Sequence, residues 1–259
     1  NNPVRVDIGG TIESIAKIDA ELLYRCYHTF YNMSNMVLAI AGNFDVDVAL
    51  DVVRRCIKTG ETVEIECKVP EEPFALNKKF IEEKQEVSVP LFNIGFKEQP
   101  LNGMDLIRAS ACRELLLELM TGEDTEFYRK EYDANLLNQT FSTELFTGPG
   151  YFVTIFDGES KDPQKLFGDL KEEIRSYKQN GFTKEQFQTA KKSLYGRYVR
   201  TFNNVESVAS SLVSAHFSGV DVYDMIETIA ALTYEDAEHC LENSFNDEFA
   251  AISIISPLK

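Results

Sequence analysis

Any metal or nucleophile chemistry in this 259-residue sequence has to be assembled from three histidines and five cysteines. His28, His216 and His239 stand too far apart in the chain for either H-E-x-x-H or H-x-x-E-H to be written. A catalytic zinc site usually draws two or three histidines from neighbouring text, so no metal set is expected from this chain alone. Cys26 and His28 are two apart in helical text and His239 and Cys240 are adjacent, so neither pair shares a helix face. The cysteines (Cys26, Cys56, Cys67, Cys112 and Cys240) are odd in number and contain no C-x-x-C. They read as small packing residues in a reducing compartment rather than as a disulfide framework. A cysteine–histidine nucleophile would have to meet in space. Cys112 lies in the most apolar helical text and Cys56 on an amphipathic helix, where packing is the expected role. Glu114 and Glu118, at i and i+4, read as a solvated helix face rather than an acid–base pair. Phosphate-cradling glycine motifs and G-x-S-x-G are absent from the sequence.

The overall charge points the same way. Forty-two acidic residues against 26 basic ones give a net charge of −16. That field repels phosphate backbones, which argues against a nucleic-acid partner; it reads first as the ordinary solubility of an acidic protein, with basic peptide partners as the lesser reading. No apolar run approaches the ~20 residues needed to cross a bilayer, so a membrane is not an expected partner. With 18 Phe, 11 Tyr and 44% hydrophobic residues the chain can bury a full core, and a cytoplasmic location is expected. The sequence opens on Asn1 rather than Met and is read as a piece of a longer polypeptide.

The elements that would carry these residues can be read from periodicity. Ile15, Ile18, Leu22, Leu23, Cys26, Tyr27 and Phe30 recur at spacings of three and four, predicting one amphipathic helix over residues 14–31. Met36-Val37-Leu38-Ala39-Ile40-Ala41 reads as a short buried strand ended by Gly42-Asn43, and Asp45 as the N-cap of a helix to about Lys58. Residues 59–77, with alternation in Val63, Ile65 and Cys67 and a Pro70-Glu71-Glu72-Pro73 loop, form the internal linker of a single domain spanning 1–259. Strands are expected near 86–97, 150–157 and 248–256, with Phe80 and Ile81 beginning the strand text and Pro90 marking an edge or a bulge. A helix over 102–120 is apolar on most of its surface and stops at Gly122. Asp162-Pro163, the capping box Thr183-Lys184-Glu185-Gln186 and Thr233-Tyr234-Glu235-Asp236 each start a later helix, with another over 205–217. The fold class is therefore α+β: a mainly antiparallel sheet with helices packed on one face.

Several stretches, in order, resemble the second domain of a half-unit in the insulinase-like (pitrilysin-type, inverzincin) zinc peptidases. Gly10-Thr11-Ile12-Glu13-Ser14-Ile15 resembles that family's G-T-x-E-S-I. Phe30-Tyr31, Ser34-Asn35-Met36 and Gly42-Asn43-Phe44-Asp45 resemble its F-Y-x-x-S-N-M … G-x-x-D passage, and the likeness runs through Asp157-Gly158-Glu159 to Ser256-Pro257. It is strongest to a bacterial branch whose members work in pairs. Gly10, Tyr31, Asn35 and Gly42 read as structural, at turns and a helix end.

The resemblance implies that zinc, held by H-x-x-E-H and a distal glutamate, belongs to a domain upstream. No catalytic, metal or substrate-binding residue is carried over to this chain. The partner half in such enzymes supplies an Arg…Tyr pair near a G-L-x-Y turn. In residues 131–138 here, Asn138 stands at the tyrosine's place and Glu131 or Tyr132 at the arginine's, so this piece reads as following the zinc-bearing domain. The expected function is a non-catalytic domain of a metalloendopeptidase that packs on the zinc domain and walls a peptide chamber, with a second related half-unit as a further partner. The alternative is an interaction subunit from a catalytically inactive member. The chain itself should retain no stoichiometric zinc through dialysis, as measured by atomic absorption. One equivalent that is lost on replacing His28, His216 or His239 would contradict this reading.

Overall fold

The computed structural model describes residues 2–58, 60, 62, 66, 68, 69 and 71–258. The N-terminal part holds three helices, α1 (Ile12–Ile15), α2 (Ala20–Phe30) and α3 (Val46–Cys56). The Asp19 carboxylate accepts the Leu22 N–H at 2.8 Å and the Asp45 carboxylate accepts that of Val48 at 3.0 Å, each satisfying an open donor of the first turn. The single helix expected over 14–31 is therefore two. Asp19 adopts extended backbone as the cap of α2, while Thr11 and Ser14 close a capping box around the separate turn α1. None of the three helices buries a residue. The strand expected over 36–42 is not formed either. The segment runs extended, but among the described residues no strand pairs with it. The alternation expected at Val63, Ile65 and Cys67 and the turn at Pro70 lie outside the described residues.

Beyond residue 79 the chain builds a sheet and its helical cover. In order these are β1 (Phe80–Gln85), β2 (Leu91–Glu98), α4 (Gly103–Thr121), α5 (Glu126–Asp133), β3 (Ser142–Gly148) and β4 (Tyr151–Glu159). There follow α6 (Pro163–Asn180), α7 (Lys184–Thr201), α8 (Val205–Ser218), α9 (Asp224–Ala231), α10 (Tyr234–Asn243) and β5 (Ala250–Pro257). The strand order is β1-β5-β2-β4-β3. Every pairing is antiparallel except β1 with β5, so the sheet is mixed, with the antiparallel character dominant. In the central register Ile94 of β2 faces Phe156 on one side and Ile252 on the other.

Alternation decides which face is covered. Phe92, Ile94 and Phe96 of β2, Phe152 and Phe156 of β4, and Ala250, Ile252 and Ile254 of β5 are buried, while their neighbours along each strand are less so. Phe96, Phe156 and Phe245 meet with ring centroids 5.6–6.4 Å apart, in the edge-to-face and tilted arrangements that aromatic quadrupoles favour. α4 crosses this face and is buried on nearly all sides from Ser110 to Thr121, as its apolar text requires.

Two local expectations change. Pro90 does not mark an edge, because β2 is the middle strand. The proline stands just before Leu91, so its missing N–H falls outside the ladder, and its carbonyl accepts the Ser160 N–H at 3.0 Å. Gly122 ends α4 with φ −59 rather than in a left-handed turn. A Cβ there would lie 2.6 Å from the Glu118 carbonyl oxygen, so close approach is what requires the glycine.

Core and N-terminal part should respond oppositely to truncation. Leu116, fully buried in α4, replaced by alanine should cost ~2–5 kcal/mol of unfolding free energy, as for other buried leucines. Leu23, 59% exposed on α2, should cost under ~0.5 kcal/mol in the same chain. Urea denaturation of the two variants measures both.

Candidate functional site: a carboxylate groove and an unpartnered apolar unit

α4, α5, β3, α6 and α7 enclose a groove of about 1100 Å³ on the helical side of the sheet. Glu118, Glu123, Glu126, Glu144, Glu173 and Arg197 are among its lining residues, and Arg197 is the cation in that lining. One wall is a network between α4 and α7. Arg197 stands 3.4 Å from Glu114 and 3.6 Å from Glu118, the Tyr198 hydroxyl donates to Glu114 at 2.5 Å, and the Ser193 hydroxyl donates to Glu118 at 2.7 Å. Burial raises the Glu114 carboxyl above its ordinary range, opposed by the hydrogen bond from Tyr198 and the charge of Arg197. Burial, then the Glu114 charge, pushes the Tyr198 hydroxyl up. The solvated-face reading of Glu114 and Glu118 therefore fails: their side chains are only 22% and 28% exposed, because α7 packs its donors onto them. On the opposite wall burial also raises Glu173. No histidine lines the groove among the described residues. The arrangement suits cationic side chains by charge.

The sequence missed this groove, yet a signal was present. Glu114 and Glu118 at i and i+4 on one helix match Ser193 and Arg197 at i and i+4 on another, a complementarity legible only once the two helices are paired.

The three histidines are dispersed. His28 lies between the Tyr24 and Tyr27 rings on α2, His216 packs against Phe217 on α8, and His239 is on α10. No group of three His, Cys, Asp or Glu that could hold a metal is found among the described residues. Asn138 does not stand free as a clamp. Its amide donates to Glu159 at 2.8 Å and its oxygen accepts from the Thr140 N–H and hydroxyl at 2.8 and 2.6 Å. Glu131 is fully buried with Lys130 Nζ at 2.9 Å, and Tyr132 is stacked on Tyr128.

The four residues read as structural fall in the N-terminal part. Gly10 has φ +70, and a Cβ there would lie 2.7 Å from the Ser14 hydroxyl. Tyr31 ends α2, stacked on Tyr27 at 4.9 Å. Asn35 donates its side-chain amide to the Phe30 carbonyl at 3.1 Å, turning the chain into the extended segment. Gly42 closes that segment at φ +145. Along it Met36, Leu38 and Ile40 are exposed, as are Tyr27 and Phe30 of α2 and Val48 and Val52 of α3. An extended apolar run and its two flanking amphipathic helices thus leave large apolar side chains uncovered.

Comparison with known proteins agrees with this architecture. The model of the Peptidase M16 inactive domain matches residues 17–194. The chain is 30% identical over 255 residues to the uncharacterized zinc protease YmfH of Bacillus subtilis, covering 96% of this chain and 58% of that protein. A putative M16-like peptidase from Alicyclobacillus acidocaldarius superposes with a TM-score of 0.89 at 27% identity, over 98% of this chain and 62% of that one. A chain of complex III2 from Candida albicans shares the fold, with a TM-score of 0.79 at 16% identity over 97% of this chain and 62% of its own length. The chain thus spans about three-fifths of the length of these relatives. It belongs to the M16, insulinase-like peptidase family and carries that family's inactive, C-terminal domain.

Proposed function

We propose that this chain is the non-catalytic part of a zinc-dependent metalloendopeptidase, packing against a zinc-bearing domain of the same protein and walling a peptide chamber. The observation that carries the reading is the N-terminal apolar unit. Residues 36–41 offer an extended backbone with no ladder partner among the described residues, and Met36, Leu38 and Ile40 project apolar side chains from it. A free extended segment of this kind pairs readily with another sheet, and the exposed faces of α2 and α3 would be covered by the same event. A domain of the same polypeptide meets this surface at high effective concentration, which favours it over a diffusing partner. The carboxylate groove gives the chamber wall a preference for basic peptides, and a second related half-unit completes the enclosure. A reducing, cytoplasmic setting suits Cys26, Cys56, Cys112 and Cys240, all of which are free thiols.

Zinc does not fit the described residues of this chain. The histidines sit on three separate helices and no ligand cluster forms among them, so these residues are assigned no hydrolytic step. Lewis-acid chemistry and the general base are assigned to the zinc-bearing domain.

Two measurements test the proposal. This chain alone should not turn over a quenched fluorescent peptide library, whereas a protein that also contains the zinc-bearing domain should do so, with loss on chelation. Chelator-sensitive turnover by the isolated chain would place catalytic residues within it after all. Inactivity of the longer protein would favour an interaction subunit instead. Leu38→Asp should weaken co-purification of the two parts at least about tenfold, since a buried unpaired charge costs well over ~1.4 kcal/mol. Unchanged association would remove residues 36–41 from the interface.

A further inference from the structure

α4 and α10 bring two thiols together. Cys112 on α4 is 6% exposed and Cys240 on α10 is half-buried. The Cys112 sulfur lies 3.6 Å from the carbonyl oxygen of Asp236, the residue one turn before Cys240 and the one whose carbonyl the Cys240 amide addresses in a regular helix. The Cys240 sulfur accepts a hydrogen bond from Nη1 of Arg113, the residue next to Cys112 in the chain, so both thiols lie on the same α4–α10 contact.

Arg113 cannot easily turn away. Its Nε stands 2.7 and 3.0 Å from the two carboxylate oxygens of Glu98, its Nη2 bonds the same carboxylate, and its guanidinium lies over the Phe245 ring at 5.8 Å. At 7% exposure little water screens its charge. The Arg113 cation on the Cys240 sulfur favours the thiolate there, whereas the buried, apolar setting of Cys112 favours the neutral thiol. Cys240 is thus placed to attack and Cys112 to keep its proton until called on, the division of labour that dithiol chemistry needs.

We propose that Cys112 and Cys240 form a reversible dithiol–disulfide pair, closed by hydrogen peroxide and reopened by a thiol reductant. The Cys240 thiolate attacks one peroxide oxygen and the O–O bond breaks. Hydroxide leaves, and the sulfur, two electrons poorer, becomes a sulfenic acid. The Cys112 sulfur then attacks the Cys240 sulfur. Its proton leaves with the displaced hydroxide as water and the S–S bond forms. Two thiols and one peroxide give one disulfide and two waters. The bond ties α4 to α10 and takes the anionic sulfur away from Arg113. This modification site stands apart from the peptidase reading and holds whether or not the chain meets a zinc domain.

The test is peptide mapping of the 259-residue chain after stoichiometric peroxide, digested without reductant and repeated in a chain carrying Cys26→Ser, Cys56→Ser and Cys67→Ser. The expected result is a linked pair of peptides holding positions 112 and 240, two hydrogens lighter than their sum and separated by dithiothreitol. In Cys112→Ser the same dose should leave a dimedone-reactive sulfenic acid on Cys240. In Cys240→Ser, Cys112 should stay unmodified. The proposal is overturned if both thiols of the peroxide-treated chain alkylate fully with iodoacetamide after unfolding, or if dimedone marks Cys112 rather than Cys240. The mapping of the unsubstituted chain decides the matter without depending on any variant's folding.

Discussion

α4 lies across the apolar face of the sheet with Ala111, Leu115, Leu116, Leu119 and Met120 in its buried surface. A helix that is apolar on most sides cannot rest on a sheet alone, because the half turned away would still meet water. α7, α9 and α10 pack against it and supply that second cover. The same packing places the α7 donors Ser193, Arg197 and Tyr198 against Glu114 and Glu118, and carries the turn of α10 that holds Asp236 and Cys240 to Cys112. Groove and thiol pair are both by-products of enclosing one helix. Polar residues on α4 survive there because the elements packed on it deliver their partners: Glu98 of β2 and Cys240 of α10 to Arg113, Tyr198 and Arg197 of α7 to Glu114.

What was legible in the sequence follows the range of the forces involved. Starts governed by a side chain bonding a backbone N–H three residues on were readable, as at Asp45, Asp162 and the Thr183–Gln186 box, because cap and helix are local. α4 and β5 were readable from text in which apolar residues predominate. Residues 36–41 misled because the same text serves a paired or an unpaired segment, and pairing is decided by a partner elsewhere. β3 went unread since its outward half, Ser142, Thr143 and Glu144, is exposed and lacks the apolar alternation of β4. The groove was hidden for a plainer reason: Arg197 meets Glu114 across 83 residues of sequence. Periodicity within one element says nothing of which other element will face it.

The local geometry divides the chain into two kinds of structure. Residues 80–257 own a closed core, whereas residues 2–58 carry exposed apolar helices and an unpaired extended run. An acidic groove on a chain of net charge −16 and an apolar unit with no internal partner among the described residues are different kinds of surface. The first acts at a distance on cationic groups and weakens with salt. The second acts only in contact, by burial.

The parallel pairing of β1 with β5 has a consequence for the order of synthesis. β5 is inserted between β1 and β2, joining Phe80 to Ile252 and Ile94 to the same residue, so the two earliest strands of the sheet never touch each other. As the chain emerges from a ribosome, β2, β4 and β3 can already zip into a three-stranded antiparallel unit, while one flank of β2 and the whole of β1 wait for β5, which follows β4 only after α6 to α10. During that interval the apolar flank of β2, with Phe92, Ile94 and Phe96, is an open template for any passing strand. Long-range closure of this kind is slow. The nascent chain is therefore exposed to mispairing until β5 has been made, and the residues that end the risk are Ala250 to Pro257.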